Sequence, residues 1–425
     1  MRIDSLRLQN FRGFVDREFH LHPQFNLVVG ENGSGKTSLL EGLAVAAGAW
    51  LQGLAAPDRR TLERVQSRLA YVEATESWER QLPTSVQAAG IVDQKHVRWE
   101  RTLHDQAWAE STSGIPGVRG AGDHLDHETV LPVLAYYRTD RNRAYFQSSS
   151  DEIVNRLLDK AATSRLSGYH RSLGEPSIPD DLRNWVVRQS LISLQTGNKD
   201  SALSAVMRQA ILSCIPEAVD LYFDARHSEV VLRFADGARQ TFSNLSDGQR
   251  GVLALVGDIT QKAASLNPHL RGEVLRQTPG IVLIDELDLH LHPRWQRLII
   301  DQLRECFPAV QFVCTTHSPF LIQSLRSGDE LINLDGQTVA NLADLAIEDI
   351  VRGIQGVDKP EVSARYDEMK STARSYLERL DAAAYEPAEK LAALKTQLAE
   401  DIAPYADNPA FQAFLEMKRV ARLGS

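Results

Sequence analysis

Apolar positions along the chain switch repeatedly between period two and helical spacing, and the switches mark out strands and helices. Ile3 to Leu8 alternates, and beyond Asn10-Phe11-Arg12-Gly13-Phe14 a returning strand is predicted from Glu18 to Leu21. Phe25 to Val29 reads as a buried strand. Ser38 to Trp50 follows with Leu39, Leu40, Leu43 and Ala47 at helical spacing. Leu62 to Ser77 reads as helical or mixed. Ser85–Val92 and His96–Leu103 alternate about Asp93-Gln94-Lys95, the pattern of a hairpin. Ser111 to His127 reads as a loop, and Leu131 to Tyr137 as a buried strand ending in the basic cluster Arg138, Arg141 and Arg143. Helical spacing then dominates through Ile153, Leu157 and Leu158, Leu182–Leu194 and Leu203–Ile215. Strands are predicted at Val219–Asp224, Val230–Phe234 and, past the turn Asp236-Gly237, Arg239–Phe242. A helix over Gly248–Leu266, a strand at Ile281–Ile284, a helix over Arg294–Phe307 and a strand at Val310–Cys314 imply parallel strands covered by helices. From about 341 the chain is largely helical, with Leu391, Leu394, Leu398 and Ile402 on one stripe that reads as a core face.

The junction between the strand ending at Val29 and the next helix carries Gly30-Glu31-Asn32-Gly33-Ser34-Gly35-Lys36-Thr37, the P-loop pattern. Its glycines let backbone N–H groups turn inward around phosphate oxygens, and the following helix points its positive end at the same anion. Asn32, Gly33, Ser34, Gly35, Lys36, Thr37 and Ser38 are therefore candidate nucleotide contacts. Lys36 supplies a point charge and Thr37 a hydroxyl ligand for Mg²⁺. Strand, glycine loop and helix in that order point to ATP or a related triphosphate.

The strand Ile281–Ile284 ends in Asp285-Glu286. Asp285 is the candidate Mg²⁺ ligand, directly or through water, and Glu286 the candidate base for the attacking water. Cys314-Thr315-Thr316-His317-Ser318-Pro319 follows another buried strand, and places His317 where it could bond the γ-phosphate and the water, although a strand-end His on its own is more often structural. His290 and His292 lack a third ligand at matching spacing, which argues against a metal site. Asn244-Leu245-Ser246-Asp247-Gly248-Gln249 precedes a helix, so Ser246, Gly248 and Gln249 form a second phosphate-binding corner. One site does not need two cradles. The pair suggests ATP sandwiched between two subunits.

Composition changes this picture in three places. A net charge of −9 over 425 residues argues against a surface that coats nucleic acid, and leaves room for a local basic patch or a partner that makes the contact. No run of about 18 or more apolar residues occurs, so no membrane partner is expected. Met1-Arg2-Ile3-Asp4 is not a secretory start, and Cys214, Cys306 and Cys314 form no CxxC pair, which fits free thiols and a cytoplasmic location.

The order of P-loop, Leu-Ser-x-Gly-Gln, Asp-Glu and His resembles the ABC-type ATPase heads of the SMC/RecF/OLD group. The Leu8–Phe14 start is similar to theirs. Within that group the chain resembles the PtuA-like ATPases of Septu-type and retron-associated anti-phage systems. The similar stretches are Ala135–Arg141, Ile284–Pro293, Thr316–Pro319, Ile347–Gly353, Asp407–Ala410 and Glu416–Lys418. The resemblance implies an α/β fold: an ABC-type P-loop head, a mixed sheet with an antiparallel lobe, plus a helical insertion and a helical C-terminal region. The expected divisions are an N-terminal ATPase lobe (1–145), the insertion (146–217), a C-terminal ATPase lobe (218–340) and a partner or oligomerisation region (341–425).

It also implies ATP hydrolysis with Mg²⁺, with Lys36 and Thr37 on phosphate and metal, and Asp285 and Glu286 as the Walker B pair. Ser246 and Gly248 become the signature acting in trans, Asp288 the inter-subunit loop, and His317 the switch residue. The implied assembly is a homodimer or higher homo-oligomer with ATP at its interface. Its nucleotide state would regulate a separate nuclease subunit of HNH type, with DNA met directly or through that partner. The alternative is a RecF-like repair or recombination ATPase that clamps DNA itself, for which Arg138, Arg141 and Arg143, or Lys418, Arg419 and Arg422, would begin a track. An OLD-type nuclease is disfavoured: the roughly one hundred residues after His317 lack a glutamate strand followed by Asp-x-Asp. The interval from Lys36 to Ser246 lacks sustained heptads, which excludes long coiled-coil arms. One departure stands out: Asp247 occupies a position where ABC signatures carry Gly, and an acid there slows ATP-driven closure unless Arg250 offsets it.

Overall fold

The computed structural model describes residues 1–52, 60–104, 110–114, 128–139, 164–174, 186, 202–215, 217–224, 226–227, 229–336, 345–383, 396–397, 399–401, 403–405 and 407–423. Most of the expected insertion (146–217), Arg141, Arg143 and the Leu391–Ile402 stripe lie outside the described residues.

The chain begins with β1 (Arg2–Phe11), β2 (Phe14–His20), β3 (Phe25–Val29) and α1 (Lys36–Gly48). β4 (Leu69–Val72), β5 (Ser77–Arg80), β6 (Thr84–Val92), β7 (Lys95–Leu103), β8 (Glu110–Ser113) and β9 (Val133–Tyr137) follow. Next come α2 (Ala202–Cys214), β10 (Ala218–Asp224), β11 (Glu229–Phe234), β12 (Arg239–Thr241) and α3 (Asp247–Leu266). β13 (Gly280–Ile284), α4 (Pro293–Gln296), α5 (Ile299–Cys306), β14 (Val310–Thr315) and β15 (Leu331–Asn333) come later in the first unit.

Two sheets carry the fold. One is parallel, in the order β15-β3-β14-β13-β9, and the other antiparallel, in the order β2-β1-β6-β7-β8. Every residue of β3, β9, β13 and β14 is buried, as expected for parallel strands covered on both faces. Helix α1 touches strands of both sheets, and Leu39 to Gly48 is buried all round. A helix apolar on every face must be enclosed, and Leu-Leu-Glu-Gly-Leu-Ala-Val-Ala-Ala-Gly meets that condition with one polar exception. The exception, Glu41, is paired with Arg12 at 2.7 Å and lies near Arg60. The result is a rigid axle with the P-loop at its tip.

Several expectations shift. Leu62–Ser77, read as helical or mixed, contains most of a hairpin: β4 pairs β5 with Tyr71 opposite Trp78, their rings 5.7 Å apart and edge-on. That aromatic pair supplies the cross-strand contact that decides for strand. Glu110–Ser113, inside or next to the expected loop, is an edge strand on β7. The helix expected over Arg294–Phe307 is two helices, α4 and α5, because the Leu298 N–H bonds the Trp295 carbonyl three residues back and breaks the helical register. The hairpin about Asp93 is tight: Asp93 and Gln94 both take positive φ (48° and 60°) between paired Val92 and Lys95, the geometry of a two-residue loop.

By compactness the chain divides into Met1–Ile350 and Val351–Ser425. The second unit contains α6 (Ala364–Ala383) and α7 (Pro409–Leu423), which bury Tyr376, Leu380 and Leu415 against Ala373, Leu377 and Phe411. Within the first unit, β3 and β9 from one side of the sequence share a sheet with β13, β14 and β15 from the other. Among the described residues no helix is long and apolar enough to cross a membrane.

Candidate nucleotide site

Ligands of parallel α/β sheets collect beyond the carboxyl ends of the strands. Three neighbouring strands end together here: β3 runs into the P-loop, β13 into Asp285-Glu286, and β14 into Thr316-His317. The P-loop takes its shape from glycines. Gly35 has φ +102°, and a Cβ there would fall 2.7 Å from the Phe14 ring, so only glycine lets the loop turn into α1 against β2. Lys36 folds back over the loop, its Nζ donating to the carbonyls of Gly30 (2.8 Å) and Glu31 (2.9 Å). Burial pulls its ammonium below the usual lysine range, against the opposing pull of Asp335, Asp285 and Glu286. An anion at the loop would act with those carboxylates and offset the desolvation of the ammonium.

The metal side is built from hydroxyls and one carboxylate. Thr37 Oγ1 donates to Asp285 Oδ2 at 2.9 Å, and Thr315 Oγ1 donates to Asp285 Oδ1 at 2.6 Å. Asp285 is itself buried, with its N–H bonded to the Tyr137 carbonyl at the end of β9. A hard divalent cation such as Mg²⁺ takes oxygen donors, and Thr37 with Asp285 provides them beside Lys36. The buried Ser34 Oγ has no protein partner, as suits a loop built to meet a polyphosphate. These residues fit ATP and Mg²⁺.

Glu286 follows with φ +52°, a conformation that costs a non-glycine residue about 1–2 kcal/mol. Its N–H bonds Thr315 Oγ1 at 2.7 Å, and the next N–H, of Leu287, bonds the Thr315 carbonyl at 2.9 Å. His317 is exposed just past the end of β14. Asp288 accepts from Thr316 Oγ1 at 2.6 Å. His292 caps α4 by accepting the Arg294 N–H on Nδ1, a structural duty for one of the two histidines. Among the described residues no cluster of three metal-ligating side chains occurs.

The Ser246 corner opens helix α3. Ser246 and Gln249 form a reciprocal capping box at the start of α3, with Ser246 Oγ accepting the Gln249 N–H and Gln249 Oε1 accepting the Ser246 N–H. Gly248 abuts the loop after Asp285-Glu286: a Cβ would fall 2.4 Å from the His290 carbonyl oxygen, so the position accepts only glycine. Among the described residues no hydrogen bond or ion pair joins Ser246, Gly248 or Gln249 to the P-loop, whereas Thr37, Asp285, Glu286 and Thr315 are bonded together. Ser246 is exposed.

Asp247, the departure from the signature pattern, is ion-paired with Arg250 one turn on, and Arg250 also donates to the Ser243 carbonyl at 3.1 Å. The pair removes much of the repulsion that an acid would exert on a triphosphate. Arg250→Ala is expected to leave Asp247 unscreened and lower kcat/KM for ATP about 3–10-fold at low salt, with the deficit shrinking at about 0.5 M salt. Steady-state phosphate release at two salt concentrations measures it; an equal deficit at both would remove the electrostatic account.

Two contributors were not evident from the sequence. Thr315 carries a signal only in hindsight, as a hydroxyl at a buried strand end. Asp335, in the turn after β15, accepts the Glu31 N–H at 2.7 Å and so anchors the P-loop from a short strand with no clear periodicity.

The chain is similar to several known proteins. A family model described as "AAA domain, putative AbiEii toxin, Type IV TA system" matches residues 136–323, and one described as "AAA domain" matches residues 5–167. The "Retron Vc95 probable ATPase" of Vibrio cholerae serotype O1 biovar El Tor is 44% identical over 92 residues, which is 22% of this chain and 18% of that protein. The "Septu protein PtuA" of Bacillus thuringiensis is 26% identical over 371 residues, 85% of this chain and 82% of that one. Among solved structures the "SMC head domain from Thermotoga maritima" aligns over 78% of this chain and 94% of its own, with 14% identity and a TM-score of 0.44.

Proposed function

We infer that this chain is a PtuA-like ATPase of the SMC/RecF group, which binds Mg²⁺–ATP at the P-loop and hydrolyses it to control a partner in an anti-phage defence complex. The observation that carries the reading is the convergence of Lys36, Thr37 and Asp285 beyond the carboxyl ends of the parallel strands β3 and β13, which flank β14, with both Asp285 oxygens held by hydroxyls.

In this reading Lys36 exchanges its two carbonyl partners for phosphate oxygens, and the loop N–H groups from Asn32 to Ser38 take the remaining phosphate charge. Thr37 and Asp285 hold Mg²⁺, which when bound neutralises charge on the outer phosphates. Glu286 accepts a proton from the attacking water as the water oxygen bonds phosphorus, and the bond to the ADP oxygen breaks. His317 orients that water or the γ-phosphate. Ser246, Gly248 and Gln249 of a second copy close over the triphosphate, which makes the active form a homodimer or higher homo-oligomer.

The partner is a nuclease subunit, of HNH type by resemblance to the Septu and retron systems, working in the cytoplasm, with DNA met by this chain directly or through that partner. The adjacent reading frame discriminates: a replication or recombination gene there would favour the RecF-like alternative. The direct test is phosphate release from ATP by the purified protein. Release that requires a divalent cation and falls roughly 100-fold or more in Asp285→Asn is expected, since removing the ligand's charge weakens the metal site. Turnover that persists in excess chelator would overturn the reading.

A further inference from the structure

The switch strand does more than present His317. Thr315 is fully buried at the end of β14, and its single hydroxyl serves two groups at once. It donates to Asp285 Oδ1 at 2.6 Å and accepts the Glu286 N–H at 2.7 Å. A hydroxyl has one proton to give, so donation to the carboxylate fixes its rotor and turns a lone pair towards the Glu286 amide. The Thr315 carbonyl takes the next amide, of Leu287, at 2.9 Å. Three successive residues of the acidic strand end are thereby attached to one threonine. The middle one, Glu286, stands at φ +52°, in a conformation its own backbone disfavours.

We propose that Thr315 is the positioning residue of the acidic pair: its hydroxyl orients Asp285 towards the metal and holds Glu286 in the backbone conformation from which it meets the water. This rests on the proposed roles of Asp285 and Glu286. Thr315 touches neither nucleotide nor water in this account and acts only through those two residues. Its neighbour does a separate task, since Thr316 bonds Asp288 and caps the Ser318 N–H.

The test compares Thr315→Val, which keeps the shape and deletes the hydroxyl, with Thr315→Ser, which keeps the hydroxyl and deletes a methyl. The first readout needs no nucleotide or metal. In Thr315→Val the Glu286 amide loses its acceptor, so its hydrogen exchange accelerates about 10-fold or more, while the Leu287 amide, bonded to the backbone carbonyl, stays protected. The second is Mn²⁺ affinity in the ATP complex by electron paramagnetic resonance, expected to weaken about 10–100-fold as for other lost outer-shell partners. The third is kcat, expected to fall over the same range with ATP affinity in chelator unchanged. Thr315→Ser should return all three towards wild type.

If the valine protein does not fold, Thr315→Cys, similar in size to serine and a poor donor, is read in the same three ways. Wild-type exchange, Mn²⁺ affinity and kcat in a folded hydroxyl-deleted variant would overturn the proposal, as would a serine variant as impaired as the valine one. Failure of the parent reading is distinguishable, because the wild type itself would then show no divalent-dependent turnover.

Discussion

Glu286→Gln is expected to leave ATP bound and to lower kcat by about 100–10,000-fold, the usual range for removal of a positioned general base. Glutamine keeps the size of the side chain and cannot take the proton. Because Glu286 is held through its backbone N–H by Thr315, the substitution should leave the strand end in place, so the loss falls on chemistry and not on assembly of the site. The trapped ATP should then hold two copies together through the Ser246 corner. Light scattering of the variant with Mg²⁺–ATP is expected to show a dimer or larger species. Hydrolysis at the wild-type rate would remove Glu286 from the base role, and a strictly monomeric ATP-bound variant would remove closure in trans.

Lys36→Ala should abolish measurable nucleotide binding. Each charge-assisted bond from an ammonium to phosphate contributes about 1.5–3 kcal/mol, and loss of two corresponds to roughly 100-fold or more in affinity. Lys36 now bonds two loop carbonyls, so the variant also loses an internal tie of the P-loop, and a melting curve separates that effect from binding. Lys36→Arg is a sharper control, because the planar guanidinium does not replace a compact point charge. Titration with a fluorescent ATP analogue measures both variants. Binding of wild-type strength in Lys36→Ala would place the nucleotide elsewhere. If the alanine variant still protected cells against phage, the chain would act as a scaffold.

Much of the nucleotide-proximal fold was legible because its strands are buried on both faces and therefore read as uninterrupted apolar runs. Phe25–Val29 and Ile281–Ile284 are of this kind, and each is followed at once by chemistry: glycines in one case, two acids in the other. The long amphipathic segment Asp247–Leu266 was equally plain. What failed to show were elements decided by pairing with another strand and not by a periodicity of their own. The strand β4 depends on the Tyr71–Trp78 contact, and β15 is three residues long, defined by pairing with β3. The site divides in the same way. Motif residues announce themselves by spacing, whereas Thr315 and Asp335 act through bonds to residues 30 and 304 positions away. No local pattern encodes such a bond.

Tyr137 gives one more consequence. Its hydroxyl donates to Asp258 Oδ2 at 2.6 Å in the middle of α3, where Asp258 is also paired with Lys262, while its carbonyl accepts the Asp285 N–H at 2.8 Å. Burial and the neighbouring Asp258 push its phenol well above the usual tyrosine range, so it stays a donor. One residue thus joins the helix of the Ser246 corner to the strand that ends at Asp285. Substitutions at Asp258 and Asp285 should therefore be non-additive although the two are far apart in sequence. Over long descent such positions would drift as a set: a change of helix face at Asp258 becomes tolerable only after Tyr137 has found another way to hold the strand end.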